Sequence, residues 1–434
     1  MNRLCRSTSI VLAGLSASGP ALAEGPRDAH LAGARSSALA GAGTASAEDC
    51  SASYYNPANL ARGTRSWVCV DYSVSGASLE PGGRSEADHT VHTLGAGLVS
   101  RGTLLGVPFG VGALLSLPNG KLSRIEGIAT VDESWVLDTN RPQVSFGALG
   151  FGIEPVPRLS FGAALHVLAG VRGDFGVGGR LARPNEYDSE LRHDVDADLA
   201  SARSFGLGAA VRVTDHTRLA LAYRHRARID QKIAGDLAGD VGEPPSAIPA
   251  RYEVESIVTP ADYPSALSFG TAHELGRLSV LAEIAWENFS EWRPPDGRST
   301  TRLTLGGFPI DPGYRPQPLA DLELRDRFVP RLGFEYRLLA GPPRELRLRA
   351  GYAFERSPLP EQFGTPRWLD SDRHLFTAGA GFETSFGDHA LRVDLFGRLA
   401  VLAERTAVSE SSLGPALKAS GKRYGAGVTS SFGF

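Results

Sequence analysis

The chain holds 1 methionine and 3 cysteines among 434 residues, and no Cys/His cluster at metal-ligand spacing accompanies them. Beyond the first 23 residues no run of about 18 apolar residues occurs, which excludes helices that cross a bilayer. Neither sign of charge is in excess: 45 Lys and Arg face 48 Asp and Glu, leaving a net charge of -3 and no basic field for nucleic acid. Catalytic signatures are missing too. There is no His-Glu-Xaa-Xaa-His and no nucleophile elbow, and the glycines of "GAGTAS" follow no strand, so they make no dinucleotide site. "HDVDADL", His193 to Leu199, has Leu199 where a calcium loop turns on glycine and no glutamate at the twelfth position, so it reads as a solvated acidic loop. These absences leave no enzyme, no cofactor and no metal to expect.

What is present begins with an export pattern. Arg3 and Arg6 precede a mildly apolar run from Ile10 to Leu15, and Ala21-Leu22-Ala23 precede Glu24, as in a cleavable signal over residues 1–23. Cys5 leaves with it, so Cys50 and Cys69 remain, an even number in an oxidising compartment. Residues 24–65 are rich in Gly, Ala and Ser, cannot build a core of their own, and end on Tyr54-Tyr55 and Asn56-Pro57-Ala58.

From residue 66 onward the period is two. In "RFVPRLGFEYRL", Phe328, Leu332, Phe334, Tyr336 and Leu338 alternate with Arg327, Arg331, Glu335 and Arg337. In "LRVDLFGRLA", Leu391, Val393, Leu395 and Leu399 stand against Arg392, Asp394 and Arg398. In "LSVLAEIAW", Leu278, Val280, Ile284 and Trp286 stand against Glu283 and Glu287. A soluble sandwich turns its apolar face to a core and a mixed polar face to water. Here one face is uniformly aliphatic or aromatic and the other carries arginine, glutamate and glycine, the dyad pattern of a transmembrane barrel with a polar lumen. Only a closed barrel crosses a bilayer as sheet, because an open edge leaves backbone groups unpaired in hydrocarbon.

Strands are expected near 66–79, 91–100, 107–117, 143–153, 158–171, 202–213, 217–229, 264–275, 278–290, 326–339, 344–356, 373–385, 388–402 and 421–434, about fourteen in all. Short turns alternate with long connections, among them 172–201, 230–263 and 291–325. The expected fold is an all-β, antiparallel transmembrane barrel over 66–434, with both termini on the short-turn side. A lumen of that width is not filled by its own side chains, so residues 24–65 are expected to plug it, their small side chains lying against a glycine-rich wall. A secreted soluble β-protein is the bland alternative.

Three blocks resemble one family. Asn56-Pro57-Ala58 before the first strand, "LAEIAWENFSEW" (Leu281 to Trp292) and "LRAGYAFERSPLPEQFGTPRWLDSDRHLFTAGAGFE" (Leu348 to Glu383) are similar to blocks of the FadL/TodX outer-membrane transporters. The resemblance implies a bacterial outer-membrane location and passive uptake of long-chain fatty acids or similar hydrophobic compounds. It implies loop capture, movement of the plug (hatch), and sideways release where a kinked third strand, with Pro108, Gly110 and Gly112, opens the wall. The alternatives are a channel for small aromatic or alkane hydrocarbons and a non-transport surface barrel. Implied partners are outer-membrane lipid and lipopolysaccharide and the barrel assembly machinery, around a monomer. Among inward arginines, Arg331, Arg347 and Arg349 are candidate contacts for a fatty carboxylate, although pairing with inward Glu283, Glu287, Glu335 and Glu355 gives them a structural role as well. Cys69 shares a face with Trp67 and Asp71, toward the lumen, so a plug-to-wall disulfide to Cys50 is expected, two free thiols being the alternative.

Overall fold

The computed structural model describes residues 33–81, 90–118, 134–135, 145–181, 190–241, 248–292, 298–310, 322–341, 343–360, 368–407 and 417–434. The expected signal at 1–23 and residues 24–32 of the expected plug lie outside them.

Fourteen strands form the barrel: β1 Trp67–Pro81, β2 Val91–Leu104, β3 Val107–Pro118, β4 Ser145–Val156, β5 Leu159–Leu181, β6 Glu190–Arg212, β7 Thr217–Arg224, β8 Ala266–Leu275, β9 Leu278–Glu287, β10 Arg327–Leu339, β11 Arg344–Glu355, β12 Arg373–Phe386, β13 His389–Ala407 and β14 Leu417–Gly433. Each pairs antiparallel with the next, and β14 closes on β1 from Trp67↔Gly433 to Pro81↔Ala419. Closure leaves no sheet edge to satisfy. The alternation sorts side chains as the sequence requires: along β10, Phe328, Leu332, Phe334 and Tyr336 are exposed on the outside while Arg327, Arg331 and Glu335 are buried inside. An exposed apolar outer face is what lipid requires. The turn joining β2 to β3 places both Leu105 (φ 51°) and Gly106 (φ 81°) in the left-handed region, the tight hairpin geometry that matches strand twist.

The long connections differ from the loops the sequence suggests. Over 172–201, β5 and β6 continue as one hairpin, in register from Leu159↔Val211 to Arg180↔Glu190, so that "HDVDADL" is strand in its backbone rather than a surface loop. Over 230–263, Ala227–Val241 pairs with Ile248–Tyr263, which pairs in turn with Arg298–Leu305. Ala227–Val241 also runs parallel to the end of β5, at Arg180↔Ala238. The barrel sheet therefore extends past its rim as a side sheet.

Inside the barrel, residues 33–66 form a short helix α1 (Ala34–Ala38), a second turn of helix α2 (Ala52–Tyr55) and a 3-10 turn over Pro57–Ala61. Most of these residues are buried, with Leu39, Leu60 and Asn56 fully so.

Candidate functional site

Asn56, Pro57 and Ala58 form the joint on which the inner segment is seated. Proline disfavours helical geometry in the residue before it, and Asn56 is extended (φ -161°, ψ 105°). Its Oδ1 accepts from the Ala58 backbone N–H at 3.0 Å, capping the 3-10 turn. Its Nδ2 donates to the Thr44 carbonyl at 3.0 Å within the segment and to the Ala209 carbonyl of β6 at 3.3 Å. A fully buried amide thus ties the turn, the chain before it and the wall together.

The wall under this joint is paved with glycine. Gly110 of β3 pairs with Gly152 of β4, Gly152 with Gly162 of β5, and Gly162 with Gly208 of β6, so one glycine from each of four adjacent strands lies in a row. A Cβ at these positions would stand 2.0 Å from the Leu60 carbonyl oxygen, 2.5 Å from the Pro57 oxygen, 2.3 Å from the Pro57 carbonyl carbon and 1.9 Å from Asn56 Oδ1, respectively. Gly112 and Gly150, paired in the next row, face Leu60 and Ser53.

This bears on the expected kink of β3. The strand pairs in unbroken register with β2 from Leu104↔Val107 to Thr93↔Pro118 and with β4 from Phe109↔Ile153 to Ser116↔Phe146. No gap is present there in this structure. Gly110 and Gly112 make room for Leu60 rather than breaking the ladder.

At the short-turn end, Cys50 and Cys69 are joined, with Sγ–Sγ 2.03 Å and Cα–Cα 6.3 Å. Arg101 of β2 donates to three backbone carbonyls of the inner segment, those of Glu48, Leu60 (3.0 Å) and Arg65.

The opposite wall is charged. Arg349 of β11, with its side chain fully shielded, reaches Glu335 at 2.6 Å and Asp394 at 2.6 Å. Glu335 also takes Arg35 of α1 through two bonds of 3.1 and 3.2 Å. Burial works against the charge of Arg35, and the Glu335 carboxylate more than offsets it, holding the guanidinium above its ordinary pKa. Arg331 pairs with Glu283 at 3.2 Å, and Arg327 with Glu287 at 2.8 Å and Glu355 at 3.7 Å. Arg347 sits against Glu345 and, at 3.9 Å, Glu383. The candidate ligand arginines Arg331, Arg347 and Arg349 therefore already face carboxylates.

Two small cavities adjoin α2 on the side of the long connections. One, of about 60 Å³, is bordered by Tyr54, Tyr55, His166, Arg224, Glu283 and Arg331. The other, of about 40 Å³, is more apolar, with Tyr54, Phe146, Leu168, Tyr263 and Phe289 around His166 and Arg224. Each has room for only a few waters. Arg224 borders both, lies 4.8 Å from the centre of the Tyr54 ring, and has no carboxylate partner among the described residues. Sequence reasoning missed it. The signal was there in "TRLALAYR", where Leu219, Leu221 and Tyr223 leave Arg218 and Arg224 on the inner face. Beyond the segment, at the short-turn end, lies a chamber of about 320 Å³ lined by Arg35, Glu48, Arg65, Arg218, Glu274 and Arg392, among others.

Residues 107–432 match the family described as outer membrane protein transport protein (OMPP1/FadL/TodX). Similar solved structures include a Pseudomonas aeruginosa FadL homologue, 14% identical with a TM-score of 0.58 over 96% of this chain and 99% of that one. The toluene transporter TodX of P. putida is 16% identical with a TM-score of 0.51 over 93% and 98%. At such identity these structures speak to the fold. No curated protein matches the sequence.

Proposed function

Because the chain belongs to the outer membrane protein transport family (OMPP1/FadL/TodX), and so to the outer-membrane transporters of hydrophobic compounds, we propose that it is a passive channel for long-chain fatty acids, plugged by residues 24–65. Arg224 carries this reading. It is a guanidinium without a carboxylate partner among the described residues, beside a largely apolar cavity, and such a group pairs in planar fashion with a fatty carboxylate.

The cavity sizes imply movement. Space of about 60 Å³ falls far below the roughly 300 Å³ or more of ordinary ligand sites, so an acyl chain enters only if the stretch from Ser37 to Thr44, which borders the same space, shifts. Straight passage then meets the chamber of about 320 Å³ and its charged lining, where apolar surface gains nothing from burial. That favours sideways release past β3, which requires its unbroken ladder to open. The aromatic lining of Tyr54, Phe146 and Phe289 and the small volume favour a second reading, a small aromatic hydrocarbon, which would leave Arg224 idle.

The test is uptake of labelled oleate by a Gram-negative host without its own fatty-acid channel, with folding confirmed by heat-modifiable gel migration. Uptake above the empty-vector host, lost in Arg224→Met, is expected. Toluene uptake without oleate uptake by the folded barrel sinks the fatty-acid reading.

A further inference from the structure

His166, like Tyr54 and Arg224, borders both cavities. It stands on β5, buried to 3% exposure, with its ring against Phe146 and Tyr54 at centroid distances of 5.6 and 6.4 Å. Its Nε2 lies 3.3 Å from the Ser53 carbonyl in α2. A carbonyl can only accept, so Nε2 carries the hydrogen, and in the neutral ring Nδ1 is then a bare acceptor. That Nδ1 is buried and has no hydrogen-bond partner. A buried acceptor left unmade is costly, and the residue that carries it borders the same cavities as Arg224, whose guanidinium only donates.

We infer that the site takes an amphiphile whose head offers both chemistries: a carboxylate for Arg224 and, close to it, a hydroxyl that donates to His166 Nδ1. The preferred ligands are hydroxylated long-chain fatty acids. This rests on the fatty-acid reading above and narrows it. Because Nε2 holds the carbonyl of Ser53, occupancy at Nδ1 is also felt by α2.

The test is competition between a bound fluorescent fatty acid and either palmitate or 3-hydroxypalmitate, on the purified full barrel. Wild type is expected to hold the hydroxy acid about three- to tenfold more tightly, the worth of one hydrogen bond. His166→Leu is expected to abolish that ratio while palmitate affinity stays put, and His166→Gln, whose amide can both donate and accept, to restore part of it. Arg224→Met is expected to weaken both acids equally. No preference in the wild type, or a preference that survives His166→Leu in a folded barrel, overturns the proposal. A preserved hydroxyl preference with neither acid weakened by Arg224→Met supports the role of His166 and instead removes the carboxylate contact.

Discussion

On the β3 to β6 side, the inner segment meets glycine: the Asn56–Ala61 turn lies so close to Gly110, Gly152, Gly162 and Gly208 that no Cβ would fit. On the β9 to β13 side it meets charge. There Arg35 enters the network of Glu335, Arg349 and Asp394, and the backbone of residues 38–44 exchanges hydrogen bonds with Thr377 and Glu283. Gly333, Gly351 and Gly379 make some room on that side as well, but polar side chains do the holding. The contrast separates two kinds of attachment. Close backbone packing against glycine has one solution, and the disulfide and Arg101 pin the same stretch. Hydrogen bonds to wall side chains can be handed to water or to a ligand. Residues 50–62 therefore form a fixed seat, and residues 33–47 the part free to move.

The largest effect is expected from cutting the charged wall at its centre. Arg349→Met leaves Glu335 and Asp394 buried without their shared cation, which costs about 3–5 kcal/mol when one partner of a buried pair is removed. Denaturant unfolding in lipid vesicles should show it. Adding Asp394→Asn should recover much of the loss, since Glu335 keeps Arg35 as its partner and no buried carboxylate is then left without a cation. If the double variant is as unstable as the single one, packing rather than charge holds that wall.

The seat is tested next through its covalent tie. We propose that the exported protein carries the Cys50–Cys69 bond, so a thiol reagent should label neither residue before reduction. Closing a loop over a separation of 19 residues contributes about 3 kcal/mol in the chain-entropy model, and Cys50→Ser with Cys69→Ser should lower stability by that order. If residues 50–62 are the fixed part, oleate uptake should not need the bond reduced. A strong rise in uptake on reduction would reverse the roles of the two stretches.

Much of this was legible in the sequence. The fourteen strands and their faces follow from the period of two, because lipid on one side and lumen on the other force a strict alternation that "RFVPRLGFEYRL" displays in full. The side sheet over 227–263 was not legible, since strands beyond the rim have no lipid face to impose the pattern. The glycine row was visible only as composition. That Gly110, Gly152, Gly162 and Gly208 fall side by side depends on the register of three ladders. The same register decides which arginine is left over: Glu283 lies directly across from Arg331, whereas Arg224 pairs with Gly206 and Ala266. Parity places a charge in the lumen without naming its neighbour.

A smaller perturbation of the seat is Gly208→Ala, whose single methyl collides with Asn56 Oδ1 at 1.9 Å. Overpacking of this kind costs about 1–3 kcal/mol, and because Asn56 Oδ1 is bonded to the Ala58 N–H, which itself lies 3.1 Å from the added methyl, the turn must lift with it. Single-channel recordings in a planar bilayer should then show ion leakage that the wild type lacks. A tight, stable barrel would mean that the turn has a second resting place.

The finest cut is Thr377→Val on the charged side. Thr377 Oγ1 accepts from the Ala40 N–H at 3.1 Å and donates to the Ala38 carbonyl at 2.8 Å, and the residue is itself buried. Valine keeps the shape and removes both bonds, a loss of about 1 kcal/mol each at most when water can reach the freed groups. The decisive quantity is where the loosening shows. Hydrogen exchange should quicken at the backbone of residues 38–44 while Ala58 and Asn59, held by the Asn56 cap and the glycine row, keep their protection. Local opening of that kind identifies a low-stability unit inside a stable frame. Exchange that rises equally in both stretches would show that residues 33–62 move as one body, and the division between seat and moving part would have to be abandoned.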